Sequence, residues 1–117
     1  MSAAEKPAKI LSIDEIIEVD DLPKATLDVP EWGGSVEVRA LSREEVVEAS
    51  ETATDEDGLL DLATLQIELV WRGMGLTKDR AAQLNRKHPN AIKAIDDKIR
   101  DLSGIGDAGA SFRGGAE

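Results

Sequence analysis

Two short stretches in the first half of the chain alternate between apolar and polar residues. The apolar positions are Ala25, Leu27 and Val29 in the first stretch and Val36, Val38 and Ala40 in the second. A period of two is typical of a strand with one buried face. Between the stretches, Gly33 and Gly34 supply the positive φ angles that a tight hairpin turn demands. We therefore predict an antiparallel β-hairpin over residues 24–41.

The turn between these strands contains Pro30, Glu31, Trp32, Gly33 and Gly34. Because proline has no N–H for a strand ladder, Pro30 belongs at the end of its strand or on an exposed edge. Trp32 is expected to fold over the apolar face of the hairpin. We assign all five residues to shaping the hairpin and not to chemistry.

Past the second stretch the hydrophobic period changes to that of helices. Ser42 and Glu45 form an S-x-x-E capping box, which marks the start of a helix. We predict helices over about 43–52, 59–74, 78–86 and 90–103. The second of these is apolar on more than one face and is therefore expected to be the central helix, with Gly75 as its C-terminal cap.

These patterns predict an α+β fold, a small single domain with one N-terminal β-hairpin followed by about four α-helices. A further S-x-x-E box, Ser12 to Glu15, starts at most one or two helical turns, because Leu22-Pro23 stops the helix. Residues 1–11 are predicted to be a flexible leader and the Gly-rich residues 104–117 a disordered tail. The folded domain is thus expected over residues 12–103.

Composition and charge exclude several classes of protein. The 117 residues include no Cys, so the chain has no disulfide and no thiolate metal site. No apolar run approaches the roughly 20 residues needed to cross a bilayer, and no membrane association is expected. The net charge is −10, and residues 1–60 alone carry 16 acids against five bases. Such a charge disfavours nucleic acid as a ligand, because binding to phosphates relies on Lys and Arg.

No set of residues with a recognisable catalytic or metal-binding pattern stands out. His88 is the only histidine, and we interpret it as a loop residue and not as a metal ligand. The acidic turn at residues 55–58 fails the calcium-loop pattern, because Ala53 and Thr64 occupy its first and twelfth positions. We predict a non-enzyme with no cofactor and no metal site.

Two pairs of adjacent acids, Glu44/Glu45 and Asp96/Asp97, are the nearest approach to an acid and base pair. Adjacent residues on a helix point in different directions. Nothing in the sequence suggests burial that would separate their pKa values. We interpret both pairs as solvated helix faces.

Trp71 lies in the predicted central helix near Val70 and Met74. The apolar helix favours a place in the core, whereas the enrichment of tryptophan at binding hot spots favours an interface. The sequence leaves both roles open. We take Trp71, Val70 and Met74 as candidates for partner contact.

A family resemblance rests on residues 29–45. The run Val29-Pro30-Glu31-Trp32-Gly33-Gly34-Ser35-Val36-Glu37-Val38-Arg39-Ala40-Leu41, followed by Ser42-Arg43-Glu44-Glu45, closely resembles the V-P-E-W-G-G-x-V-x-V-R-x-L-(S/T)-x-x-E stretch of tail assembly chaperones of long-tailed, siphovirus-like bacteriophages. The acidic turn at 54–58 and Asp101-Leu102-Ser103-Gly104 are also similar to features of that family. The likeness covers residues 12–104 and departs from many relatives at Lys87-His88-Pro89-Asn90, where they have a Lys-Ser pair.

The resemblance implies a small α+β protein that binds the tape-measure protein during tail assembly, keeps it soluble and helps recruit the tail-tube (major tail) protein. Such proteins act in the cytoplasm of the infected bacterial host and are absent from the mature virion. In many of these phages a ribosomal frameshift yields a longer form, which would be a further partner of this chain. Homo-oligomers are expected, and neither nucleic acid nor a membrane is an expected partner.

Two alternatives stay open. One is a structural virion subunit, such as a tail completion or connector protein. The other, with less support, is an acidic DNA mimic that inhibits a host protein, for which the acids would have to be spaced like phosphates along one face. For the chaperone, we hypothesise that apolar residues of the helical second half line the tape-measure helix while the acidic first half faces water.

Overall fold

The computed structural model describes residues 10–105 and contains one hairpin and five α-helices within that range. In chain order the elements are α1 (Ile13–Glu18), β1 (Lys24–Val29), β2 (Gly34–Arg39), α2 (Arg43–Ala53), α3 (Leu62–Gly73), α4 (Ala81–Leu84) and α5 (Pro89–Ser103), with 3-10 turns at Pro30–Trp32 and Lys78–Arg80. This architecture confirms the predicted α+β class. The parts of the predicted leader and tail at residues 1–9 and 106–117 lie outside the described residues.

The hairpin pairs β1 with β2 in antiparallel register, from Lys24 opposite Arg39 to Val29 opposite Gly34. The alternation predicted from the sequence places Val29 and Val38 in the core, each 1% exposed. The chain reverses through the 3-10 turn, which ends at Gly33 with a left-handed φ of 71°. Gly34 has no positive φ and begins β2, so the prediction that both glycines supply left-handed conformations is wrong for Gly34.

The core is formed where α3 and α5 pack on each other and on the inner face of the hairpin. Leu69 and Val70 of α3 and Ile95 and Ile99 of α5 are each at most 1% exposed. The two helices approach closely at Gly73, where an added Cβ would overlap the side chain of Ile99. As expected, α3 is central, since it contacts α2, α4 and α5.

Helix α3 begins at Leu62 and not at residue 59 as predicted. Leu60 instead forms an isolated antiparallel bridge with Thr54, which keeps this stretch extended. Asp61 then caps α3, because its side chain accepts hydrogen bonds from the Ala63 N–H at 3.3 Å and the Thr64 hydroxyl at 2.6 Å. The predicted C-terminal cap is in place, since Gly75 has a φ of 74° two residues after the helix.

The predicted helix at 78–86 is shorter in the structure. It is a 3-10 turn followed by α4, which ends at Leu84, and Thr77 occupies the cap position without making a side-chain cap bond. The chain cannot continue as a helix into Pro89, because the residue before a proline avoids the helical conformation. That residue is His88, whose Nδ1 accepts the Asn90 N–H at 3.1 Å, so His88 caps α5 and does not sit in a free loop.

Candidate partner-binding surfaces

The three residues proposed for partner contact lie in different environments. Val70 is fully buried at 0% exposure, so it offers no surface to a partner, and its assignment to partner contact is wrong. Trp71 and Met74 are half-buried and pack against the core. The indole N–H of Trp71 donates to Glu68 Oε1 at 3.3 Å, and the Arg72 guanidinium lies 4.4 Å from the ring centroid. These internal contacts give Trp71 a structural role in the folded chain.

A buried ion pair lies within α3 beside this tryptophan. Arg72 donates to Glu68 Oε1 at 2.6 Å and to the Glu68 carbonyl at 2.9 Å, and both residues are less than a tenth exposed. The second guanidinium nitrogen of Arg72 lies 3.9 Å from Glu48 on α2. Because a desolvated charge is stable only with close partners, Glu68 stabilises the buried Arg72 within α3. Glu48, whose side chain is 53% exposed, adds a longer contact from α2.

A second buried ion pair lies within α5. Arg100 Nε donates to both carboxylate oxygens of Asp96, at 2.9 and 3.0 Å, and Asp96 is 5% exposed. Burial raises the pKa of the Asp96 carboxyl, and the charge and hydrogen bonds of Arg100 oppose that rise. The prediction that Asp96 and Asp97 share a solvated face is therefore wrong for Asp96. Asp97 is exposed and pairs with Lys93 at 2.8 Å.

The other acidic pair divides in the same way. Glu44 is exposed, whereas Glu45 makes two hydrogen bonds of 2.8 Å with Arg39 at the end of the hairpin. Glu45 also accepts the Ser42 N–H at 2.9 Å, which completes the predicted capping box. The hydrogen bonds from Arg39, together with those from Ser42, lower the pKa of Glu45 to about 2. The prediction of a solvated pair is thus wrong for Glu45, which joins β2 to α2.

Within residues 10–105, every buried side-chain nitrogen or oxygen has a hydrogen-bond partner. In the same range, no group of three or more His, Asp or Glu side chains is placed to hold a metal ion. The features that remain to be explained are therefore surfaces.

The largest exposed apolar surface belongs to the N-terminal segment, which we define as residues 10–19. Its six large apolar side chains are Ile10, Leu11, Ile13, Ile16, Ile17 and Val19, with exposures from 45% to 94%. The predicted capping box forms, with Ser12 and Glu15 joined by bonds of 2.9 and 3.2 Å, so the segment has a defined helix. No residue of α1 is buried. The apolar side chains of this helix are therefore largely uncovered by the rest of residues 10–105.

A second apolar surface, which we call the turn patch, lies between α2 and α3. It consists of Leu59, Leu60 and Leu62, which are 66%, 37% and 54% exposed. The turn is rigid because the Asp55 side chain accepts the N–H groups of Asp57 and Leu59, both at 2.9 Å. Asp55, Glu56, Asp57 and Asp61 surround these leucines in the sequence and are all exposed. The turn patch is thus apolar with an acidic border.

The third surface is a groove of about 280 Å³ between α3, α4 and the start of α5, which we call the basic groove. Its apolar lining is Ile67, Leu84, Pro89 and Ile92, and its polar lining is Gln66, Asn85 and Lys87. Lys87 is the one charged residue of this lining, and residues 78–93, five of which line the groove, hold five bases and one acid. In a chain with a net charge of −10, this is a local positive region.

The exposed apolar side chains are not where the sequence led us to expect them. We expected the helical second half to present apolar residues, yet most apolar side chains of α3 and α5 are buried in the core. Of the ten large apolar residues that are exposed within the described range, six lie instead in the N-terminal segment. The acidic first half therefore presents most of the apolar surface that a partner could cover.

Comparisons of this chain with protein-family models, with curated proteins and with solved structures found no match. No helix among residues 10–105 combines the length and the hydropathy needed to traverse a bilayer. Function therefore has to be argued from the surfaces themselves and from the sequence motif at residues 29–45.

Proposed function

We propose that this chain is a tail assembly chaperone of a long-tailed bacteriophage. In this proposal it binds the tape-measure protein in the cytoplasm of the infected host, keeps it soluble and helps recruit the tail-tube protein. The proposal draws on the likeness of residues 29–45 to that family and on the exposed apolar side chains of residues 10–105.

The observation that supports the proposal best is the combination of apolar exposure with charge. Among residues 10–105, ten large apolar side chains are more than a third exposed, and the chain carries a net charge of −10. Contiguous exposed apolar surface marks a site for a protein partner. A high net charge of one sign keeps such a chain dispersed until the partner arrives. A protein that shields another apolar polypeptide for a limited time needs both properties.

The turn patch is the surface that best fits an apolar helix of the tape-measure protein. The side chains of Leu59 and Leu62 are exposed directly after the turn that the Asp55 side chain stabilises by accepting the Leu59 N–H. Because the border is acidic, the bound helix is expected to place Lys or Arg beside its apolar residues. Burying apolar side chains in the centre and pairing charges at the rim is the usual organisation of a protein interface.

Co-expression tests the proposal. The soluble fraction of the tape-measure protein from the same phage should rise when this chain is present, and the two should co-elute in size-exclusion chromatography. The double variant Leu59→Ser/Leu62→Ser should lose most of this effect while keeping the fold. Thr26→Ala/Ser35→Ala, which changes two exposed hairpin positions, is the matched control and should behave as the native chain does. No increase in solubility and no complex with the native chain would contradict the proposal.

Mass spectrometry of purified phage particles separates this role from that of a structural virion subunit. A chaperone is absent from the finished particle. A stoichiometric amount of this chain in infectious particles would contradict the chaperone role and favour a tail completion or connector protein.

A further inference from the structure

From the placement of charge and apolar surface, we infer that the N-terminal segment of one copy binds the basic groove of a second copy. The occupant of the groove is therefore another molecule of this same chain. This inference specifies the contact behind the homo-oligomer expected above. It does not rest on binding of a tape-measure protein, because its test contains this chain alone.

The segment has the pattern of a helix that binds in a groove. Ile13, Ile16 and Ile17 are spaced by three and four residues, so they lie on one face of α1. They are 73%, 50% and 76% exposed, which leaves the face free. An amphipathic helix of this kind binds by laying its apolar residues into a hydrophobic groove.

Charge selects the basic groove over the turn patch. Residues 10–21 contain five acids and no base, whereas residues 78–93 contain five bases and one acid. Asp14 and Glu18 of the segment would meet Lys87 in the groove and its sequence neighbour Arg86. At the turn patch the same acids would meet Asp55 and its acidic neighbours, and like charges oppose association.

The connection to the body favours a second copy over the same chain. The Ala40 N–H bonds the Pro23 carbonyl at 2.8 Å and the Leu41 N–H bonds Ser103 at 2.9 Å, so the segment joins the body near the C-terminal end of α5. The groove includes Ile92, near the other end of α5. At a rise of 1.5 Å per residue, Ile92 lies about 16 Å along the helix from Ser103. Docking within one chain would require residues 20–22 to be almost fully stretched. Docking between copies has no such requirement.

Sedimentation of the full chain tests the inference. The mean mass should rise above that of a monomer between about 1 µM and about 1 mM, the range that suits a small contact. Raising the salt concentration should weaken the association, because charge attraction contributes to it. A chain that stays monomeric over the whole range would overturn the inference.

Two variants each remove one side of the contact. Ile16→Ser/Ile17→Ser removes two apolar side chains from the face of the segment. Arg86→Glu/Lys87→Glu reverses the charge at the groove. All four residues are exposed, so the fold is expected to persist in both variants. Each variant alone should stay monomeric. An equimolar mixture should regain a heterodimer, because one partner keeps an intact groove and the other an intact segment. A mixture that stays monomeric while the native chain associates would overturn the inference.

Matched controls separate this contact from general effects of hydrophobicity and charge. Leu59→Ser/Leu62→Ser removes two equally exposed apolar side chains outside the segment. Lys24→Glu/Arg43→Glu makes the same change in net charge at two exposed bases outside the groove. Both controls should associate as the native chain does. Loss of association in both controls would also overturn the inference.

Discussion

Helices α1 and α5 carry the same local signals and end in opposite environments. Each has a side-chain N-cap, Ser12 for α1 and His88 for α5, and each repeats isoleucine at helical spacing. In α5, Ile95 and Ile99 are 0% exposed, whereas in α1 Ile17 is 76% exposed. Local sequence is enough to form both helices, but among residues 10–105 only α5 packs on a complementary apolar surface.

The difference shows what an apolar helical stripe requires. For α5, the close approach at Gly73 and the inner face of the hairpin provide a complementary surface. For α1, the chain provides none within the described residues. A stripe of isoleucines in contact with water is unfavourable by roughly 25 cal/mol for each Å² of apolar surface. We therefore regard α1 as half of an interface whose other half belongs to another molecule.

The largest expected change in stability comes from a substitution in α5. Arg100→Met leaves the buried carboxylate of Asp96 without its partner and should lower the free energy of unfolding by about 3–5 kcal/mol. Lys93→Met breaks the Lys93–Asp97 pair, which has the same spacing on the same helix, but these side chains are 69% and 49% exposed. That control should cost less than about 1 kcal/mol. Urea denaturation measures both, and equal losses would show that burial does not distinguish the two faces of α5.

The second test compares isoleucines directly. Ile99→Ala should lower the free energy of unfolding by about 2–5 kcal/mol, because it leaves a cavity between α3 and α5. Ile17→Ala, at low protein concentration, should change it by no more than about 0.5 kcal/mol, because the side chain is in water. Chemical denaturation followed by circular dichroism measures the two variants. A large loss for Ile17→Ala would mean that α1 packs on its own chain.

A third test concerns the hairpin that covers α5. Gly33→Val should destabilise the fold by about 1–3 kcal/mol, because a β-branched residue is strained at a φ of 71°. Gly34→Val should cost less, since Gly34 lies in β2 and a Cβ there would meet no atom within 4 Å. Thermal melting of the two variants ranks them. If Gly34→Val proved the more harmful, the assignment of the turn would be wrong.

The smallest expected effect is a pH dependence at the junction of β2 and α2. Because the pKa of Glu45 falls from 4.5 to about 2 on folding, its bond to Arg39 adds stability above pH 4.5 that is lost as the pH falls toward 2. The contribution of Asp96 to the pH dependence has the opposite sign, because burial raises its pKa. Asp96 is present in both variants compared, so its contribution is the same in each. Glu45→Gln should therefore flatten the decline in melting temperature between pH 4.5 and 2. The exposed Glu44→Gln is the control and should leave the decline as in the native chain.

The strands and helix starts were predictable because their signals are local. The alternation in β1 and β2, the boxes at Ser12 and Ser42 and the left-handed cap at Gly75 all depend on residues close in sequence. The prediction that α3 begins at residue 59 was wrong because local signals do not report a contact between separate residues. Leu59 and Leu60 continue the apolar run, yet the bridge between Leu60 and Thr54 keeps them extended, and a bridge between separate residues leaves no periodic signal.

The surfaces were less predictable because burial depends on contacts distant in the chain. Asp96 and Asp97 look alike in sequence, and only the packing of α5 decides that the first is buried. The same is true of Val70, which helix periodicity could not separate from its neighbour Trp71. For α1 the sequence did contain a signal for an apolar helix face, because isoleucine recurs there at helical spacing directly after a capping box.

Hydrogen exchange in residues 12–18 of the full chain, at two protein concentrations, tests the central claim most directly. We predict that the amides of α1 exchange at the rate of an uncovered helix at about 5 µM and become protected at about 500 µM, as copies associate through the segment. The amides of α5 should be protected equally at both concentrations. Exchange in α1 that is the same at both concentrations would contradict the claim that another molecule covers this helix.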